Sequence, residues 1–168
     1  MYSSTLKRRE QTIPVNFTVN GIRHEIDVEP HEILLDVVRN RLGLTGTKKS
    51  CDVQVCGTCT VLLDGRPVSS CTLLAIEARD REILTIEGLA QDGKLHPLQQ
   101  AFIEYGGLQC GFCTPGMILT AKTLLEENAS PTEEDIIQYM QGNICRCTGY
   151  KKIIESIMEA AKRMRQTR

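Results

Sequence analysis

Eight cysteines in two separated groups constrain this chain more than any other feature. Cys51, Cys56, Cys59 and Cys71 form the first group, and Cys110, Cys113, Cys145 and Cys147 the second. The chain has 168 residues and no Trp, so each half can bury only a modest core. Small domains with thin cores commonly rely on a metal or a disulfide as a staple. The first dozen residues are polar, with no apolar core of a signal peptide, and no run is long and apolar enough to span a membrane. A cytoplasmic chain is therefore expected. In that reducing setting eight cysteines point to metal ligands or catalytic thiols rather than disulfides.

The spacing Cys51-x4-Cys56-x2-Cys59, with Cys71 further on, matches the plant-type ferredoxin arrangement for a 2Fe–2S cluster. Three ligands from one loop wrap one side of a small flat cluster, and the fourth comes from a neighbouring segment. Small residues such as Gly57 let backbone N–H groups approach the anionic sulfurs. Zinc and buried free thiols remain alternatives, although only Cys56 and Cys59 have zinc-knuckle spacing. The second group, Cys110-x2-Cys113 with Cys145-x1-Cys147, is more open. A second iron–sulfur cluster, a zinc site and a redox dithiol at Cys110/Cys113 all fit it. Helices expected to begin at Thr114-Pro115 and after Thr148-Gly149 would turn favourable dipoles toward a negatively charged cluster.

The segments between the cysteines predict two domains. Residues 1–12 read as a disordered leader. Val15, Phe17 and Val19 alternate with polar residues as in a half-buried strand, and Asn20-Gly21 turns it into a return strand over Ile22–Val28. A helix is expected over residues 32–42, stopped by Gly43. A cysteine loop to Gly57, a hairpin turning at Asp64-Gly65 and a short strand over 83–86 follow. This is the order of a small mixed sheet gripping one helix, with the first domain over 13–87. From Gly88 the apolar period changes to that of helices, and four are expected over 88–165. The first starts at Pro97 and stops at Gly106-Gly107. The second has Thr114 as N-cap, and the third opens with a capping box from Ser130 to Glu133. The fourth runs from about Tyr150 to Met164. The fold class is thus α+β, a sheet domain followed by an all-α four-helix domain.

Other residues carry less. The net charge of −1 argues against nucleic acid as a partner. The basic ends (Lys7, Arg8, Arg9, Lys162, Arg163, Arg165, Arg168) read as solvated termini. His24, His31 and His96 lack metal spacing with any cysteine and read as surface or structural residues. The Met and aromatic residues of the second half read as core. No acid–base constellation and no phosphate-binding Gly-rich loop is seen, so no substrate site is expected on this chain and nucleotides must be held elsewhere.

Three stretches, CDVQVCGTCTV (51–61), QCGFCTPG (109–116) and NICRCTGY (143–150), closely resemble the small iron–sulfur subunit of the molybdenum hydroxylases. That family includes xanthine dehydrogenase, aldehyde oxidoreductase and aerobic carbon monoxide dehydrogenase. The likeness covers roughly Ile13 to Ala161. It implies a β-grasp plant-type ferredoxin domain and a four-helix domain, each with one 2Fe–2S cluster. By this likeness Cys51, Cys56, Cys59 and Cys71 hold the cluster nearer the flavin, and Cys110, Cys113, Cys145 and Cys147 the one nearer the molybdopterin. Gln109 is similar to a family glutamine that hydrogen-bonds the pterin, and Cys147 looks like the ligand closest to it. The implied partners are a large molybdopterin subunit and a medium FAD subunit, as a dimer of heterotrimers. Electrons would pass between them through this chain. A zinc-stapled interaction module and a free-standing ferredoxin with a helical extension are the alternatives. The chain departs from many relatives at Gln54, where they carry Gly, and at Thr58, often Ala. A positive φ at Gln54 would carry strain, and Thr58 would bring a hydroxyl near the sulfurs.

Overall fold

The computed structural model describes residues 12–166. Residues 1–11 of the expected leader over 1–12, and the terminal Arg168, lie outside them. Strands β1 (Ile13–Val19) and β2 (Ile22–Val28) pair antiparallel around Asn20-Gly21. Both turn residues have positive φ, 51° and 80°, as a type I′ turn requires. Asp64-Gly65 repeats this device between β3 (Thr60–Leu63) and β4 (Arg66–Ser69). A short β5 (Glu82–Leu84) completes a five-stranded sheet ordered β2-β1-β5-β3-β4. Among the described residues only the β1–β5 pairing is parallel.

The helix expected over residues 32–42 is shorter and less regular. Ile33 is extended and bridges to Leu74, so α1 begins only at Leu34. Three α-helical residues (Leu34–Asp36) pass into a π-helical turn over Val37–Arg41. A 3-10 turn at Ala75–Ala78, not anticipated from the sequence, closes the floor below it. Val15, Phe17 and Val19 from β1 meet Leu34, Val37 and Val38 from this helical segment, with Val61, Leu63 and Ile83 between them. This is the first core.

The second core is helical. It is formed by α2 (Pro97–Glu104), α3 (Thr114–Glu127), α4 (Glu133–Tyr139) and α5 (Lys151–Gln166). Leu98, Phe102, Met117, Leu125, Ile136, Ile153 and Ile157 are buried there. Gly106, at φ 68°, ends α2 as a left-handed cap, and the Gly107 N–H reaches back to the Phe102 carbonyl at 2.9 Å. Two expected caps are corrected. Thr114 is the first residue of α3, Cys113 occupies the cap position, and Thr114 Oγ1 is buried with no hydrogen-bond partner among the described residues. The capping box of α4 uses Thr132 and Asp135 rather than Ser130 and Glu133. The rule was met by two overlapping registers, and the one with helical residues already at Glu133 won.

The halves are packed together. β3 is buried along its whole length because α3 lies against it. Asn20 ties the first hairpin to the connecting segment, accepting from the Thr85 N–H and donating to Thr85 Oγ1, both at 2.9 Å. The basic end of α5 is more than solvated surface. Arg163 pairs with Glu104 and Glu159, and Arg165 donates to the Ala129 carbonyl. Phe112, Tyr105 and Tyr150 are exposed, unlike the buried Phe102, Met117 and Met140, so the aromatic residues of this half are not all core. No helix among the described residues is long and apolar enough to cross a membrane.

Candidate metal centres

The first set of thiols sits on the loop between α1 and β3, with Cys71 just beyond β4. Cys59 and Cys71 are buried against Leu35, while Cys51 and Cys56 are half-buried. The buried Ser70 hydroxyl donates to the Cys59 carbonyl at 2.6 Å, which holds the segment carrying Cys71 against the loop. The loop bends through a run of left-handed residues: Asp52 (φ 55°), Gln54 (φ 59°) and Gly57 (φ 68°). Gln54 therefore does occupy the conformation that glycine adopts most cheaply. Its side chain is anchored by the Thr72 hydroxyl, which donates to Oε1 at 3.1 Å.

That bending aims backbone N–H groups at sulfur. The Val55 N–H donates to Cys51 Sγ at 3.4 Å. The N–H groups of Val53, Val55 and Cys56 hold the Cys51 thiol down to about 6. Burial pushes Cys71 up to about 11. Thr58 Oγ1 lies 3.3 Å from Cys56 Sγ, so the hydroxyl does stand among the sulfurs.

The second set lies between α2 and α3 and before α5. Cys145 is buried, Cys113 half-buried, and Cys110 and Cys147 are exposed, as is Gln109. Cys110 and Cys147 approach to 3.5 Å between sulfurs. The Thr148 backbone N–H and hydroxyl both donate to Cys145 Sγ, at 3.4 and 3.1 Å. The Cys145 backbone N–H donates to the Tyr150 hydroxyl at 3.0 Å, and Tyr150 itself has φ 69°. Burial drives the Cys113 thiol up to about 12. Burial also raises Cys145, but the hydrogen bonds it accepts, those from Thr148 foremost, together win and its pKa falls.

Within each set the thiols act on one another's titration: Cys51 feels Cys56, Cys71 feels Cys59 and Cys51, and Cys113 feels Cys145 and Cys110, while Cys110 and Cys147 stand in direct sulfur contact. No three His, Cys, Asp or Glu side chains among the described residues converge as a single metal ion needs. Zinc requires four ligands around one point. A 2Fe–2S cluster takes two protein ligands on each of two irons, and N–H and O–H donors to sulfur suit its negative charge. The residues present thus fit a diiron cluster at each set.

Asn143, Ile144, Tyr150 and Thr148 were not singled out as functional from the sequence. Asn143 is buried and donates to the Gly57 carbonyl, and Ile144 N–H donates to the Cys56 carbonyl. The available signal was their position inside a cysteine motif; the contacts span the two halves and have no local signature. His24, His31 and His96 stand apart from both sets. His31 pairs with Glu29, and His96 caps α2.

Two family models match the chain. A 2Fe-2S iron-sulfur cluster binding domain covers residues 17–87, and a 2Fe-2S binding domain covers residues 85–158. The nicotinate dehydrogenase small FeS subunit of Eubacterium barkeri is 50% identical over 151 residues, spanning 90% of this chain and 96% of the relative. A solved structure of quinoline 2-oxidoreductase from Pseudomonas putida 86 superposes with a TM-score of 0.89 at 45% identity, covering 93% of this chain and 98% of that one. The aldehyde oxidoreductase of Desulfovibrio gigas superposes with a TM-score of 0.87 at 44% identity. There this chain is covered to 93% and corresponds to 18% of the longer protein.

Proposed function

The chain belongs to the iron–sulfur subunits of the molybdenum hydroxylase family, and on that premise we propose that it is the electron-transfer subunit linking molybdopterin on a large partner to FAD on a medium partner. Its place within an oxidoreductase complex follows from the family. The finer assignments are ours. Residues 13–87 form a β-grasp ferredoxin domain and residues 88–165 a four-helix domain. Cys51, Cys56, Cys59 and Cys71 hold one 2Fe–2S cluster, and Cys110, Cys113, Cys145 and Cys147 hold the other. The assembly is a dimer of heterotrimers in the cytoplasm.

The observation that carries this reading is that both sets aim hydrogen-bond donors at sulfur, with Cys110 and Cys147 in direct sulfur contact in the second. When bound, each cluster supplies reversible one-electron transfer. The chain's own residues position the sulfurs and compensate their charge. Val55 N–H does so at Cys51, and Thr148 N–H and hydroxyl at Cys145. Buried Cys59, Cys71 and Cys145 keep water from part of each site. Exposed Cys110, Cys147 and Gln109 present the other edge of the second site, and we assign that edge to the molybdopterin partner. Exposed Val53 and Val55 flank the first site, and we assign that side to the flavin partner.

Native purification tests the reading. A large and a medium subunit should co-purify with this chain and carry molybdopterin and FAD. A chain that purifies alone, with both clusters intact, would instead support the free-standing ferredoxin.

A further inference from the structure

We propose that the Thr58 hydroxyl sets the reduction potential of the first site by donating a hydrogen bond to Cys56 Sγ. The proposal rests on the reading of Cys51, Cys56, Cys59 and Cys71 as ligands of a 2Fe–2S cluster. Thr58 is only 5% exposed, so its hydroxyl has little access to water. Its oxygen lies 3.3 Å from Cys56 Sγ and has no other hydrogen-bond partner among the described residues. In a free thiol either atom can be the donor. A sulfur committed to metal carries no proton, so the hydroxyl must donate. A buried hydroxyl left without an acceptor would be costly, which fixes its direction.

The consequence is electrostatic. One-electron reduction adds negative charge that spreads onto the sulfurs. A donor already aimed at one of them stabilises the reduced form more than the oxidised form. Hydrogen bonds to cluster sulfurs are among the factors that set such potentials. The proton stays on Thr58 oxygen throughout, and no bond to it breaks. The second site offers an internal comparison, because Thr148 Oγ1 donates to Cys145 Sγ at 3.1 Å. Thr58 is not a contact of that set, so its replacement should leave the second potential alone.

The test is a dithionite redox titration of the natively assembled complex, with each cluster followed by its paramagnetic resonance signal. Thr58→Val and Thr58→Ala should lower the reduced-to-oxidised ratio of the first cluster about tenfold at fixed potential, a shift of about 59 mV in the negative direction. Thr58→Ser should restore the original ratio, and the second signal should titrate unchanged in all three. An unchanged ratio in the Val and Ala variants, with the first signal intact, overturns the proposal. Loss of the first signal in both, with the Ser variant normal, also overturns it, because the hydroxyl would then be needed for assembly rather than for potential. Absence of both signals from the unsubstituted complex would sink the cluster reading itself, so the two failures are distinguishable.

Discussion

The Ile144 N–H donates to the Cys56 carbonyl at 2.9 Å, joining the loop of the first cysteine set to the residue beside Cys145. Next to it Asn143 Nδ2 donates to the Gly57 carbonyl at 3.2 Å. A Cβ on Gly57 would collide with the Gly142 carbonyl and the Asn143 amide, and one on Gly116 would collide with the Gly57 carbonyl. Gly57 also has φ 68°, so a side chain there is strained as well as crowded. We expect Asn143→Ala to cost about 1 kcal/mol for the lost hydrogen bond, since Thr60 Oγ1 still satisfies the Gly57 carbonyl. Gly116→Ala should cost more, about 1–3 kcal/mol, because backbone must move. Denaturation of the assembled protein reads both, and a Gly116→Ala variant as stable as the unsubstituted protein would deny that the two loops are interlocked.

Gln54 provides a backbone test. At φ 59° it lies in the left-handed region, where a β-branched residue is a genuine outlier. Gln54→Gly should relieve strain but lose the bond from Thr72, leaving stability within about 1 kcal/mol of the original. Gln54→Val should destabilise by about 1–3 kcal/mol. Melting temperatures of the two variants decide; a valine as well tolerated as glycine would refute the strained loop.

Acid should loosen the start of α2. His96 Nδ1 accepts from the Leu98 N–H at 3.2 Å, which requires the neutral ring. Burial first, and the Lys122 charge second, hold its pKa below 6.5. The unfolded chain therefore takes up the proton first as pH falls. Stability is full above about 6.5, declines from there down to the lower folded pKa, and then levels off. His96→Asn keeps a capping side chain without the titration. Its melting temperature should fall less than that of the unsubstituted protein over this window; parallel curves would contradict the assignment.

Cys147→Ser tests whether the two sets act separately. Cys147 is exposed and contacts Cys110, and no thiol of the first set. The second resonance signal should be lost and electron flow between the partner subunits slowed, while the first signal survives. Loss of both signals from a folded chain would mean that the sites are not independent.

Much of this was legible because the information is local. Asn20-Gly21 and Asp64-Gly65 sit where type I′ turns form, and alternation marked Val15, Phe17 and Val19 as buried. The positive φ at Gln54 was anticipated only through the glycine of relatives. What could not be read was decided by contacts between distant residues. The bridge from Ile33 to Leu74 delayed α1, and helical backbone already at Thr114 moved the cap position of α3 to Cys113. Asn143 and Ile144 look unremarkable in sequence, yet they hold the Cys56–Gly57 backbone from the other half of the chain. Arg163 and Arg165 resemble a solvated basic tail until Glu104 and the Ala129 carbonyl are brought beside them.

The most direct measurement is metal analysis with paramagnetic resonance on the natively assembled, dithionite-reduced protein. The account predicts a brown protein with about four irons per chain and two distinct 2Fe–2S signals. A colourless protein carrying stoichiometric zinc and giving no signal would contradict it.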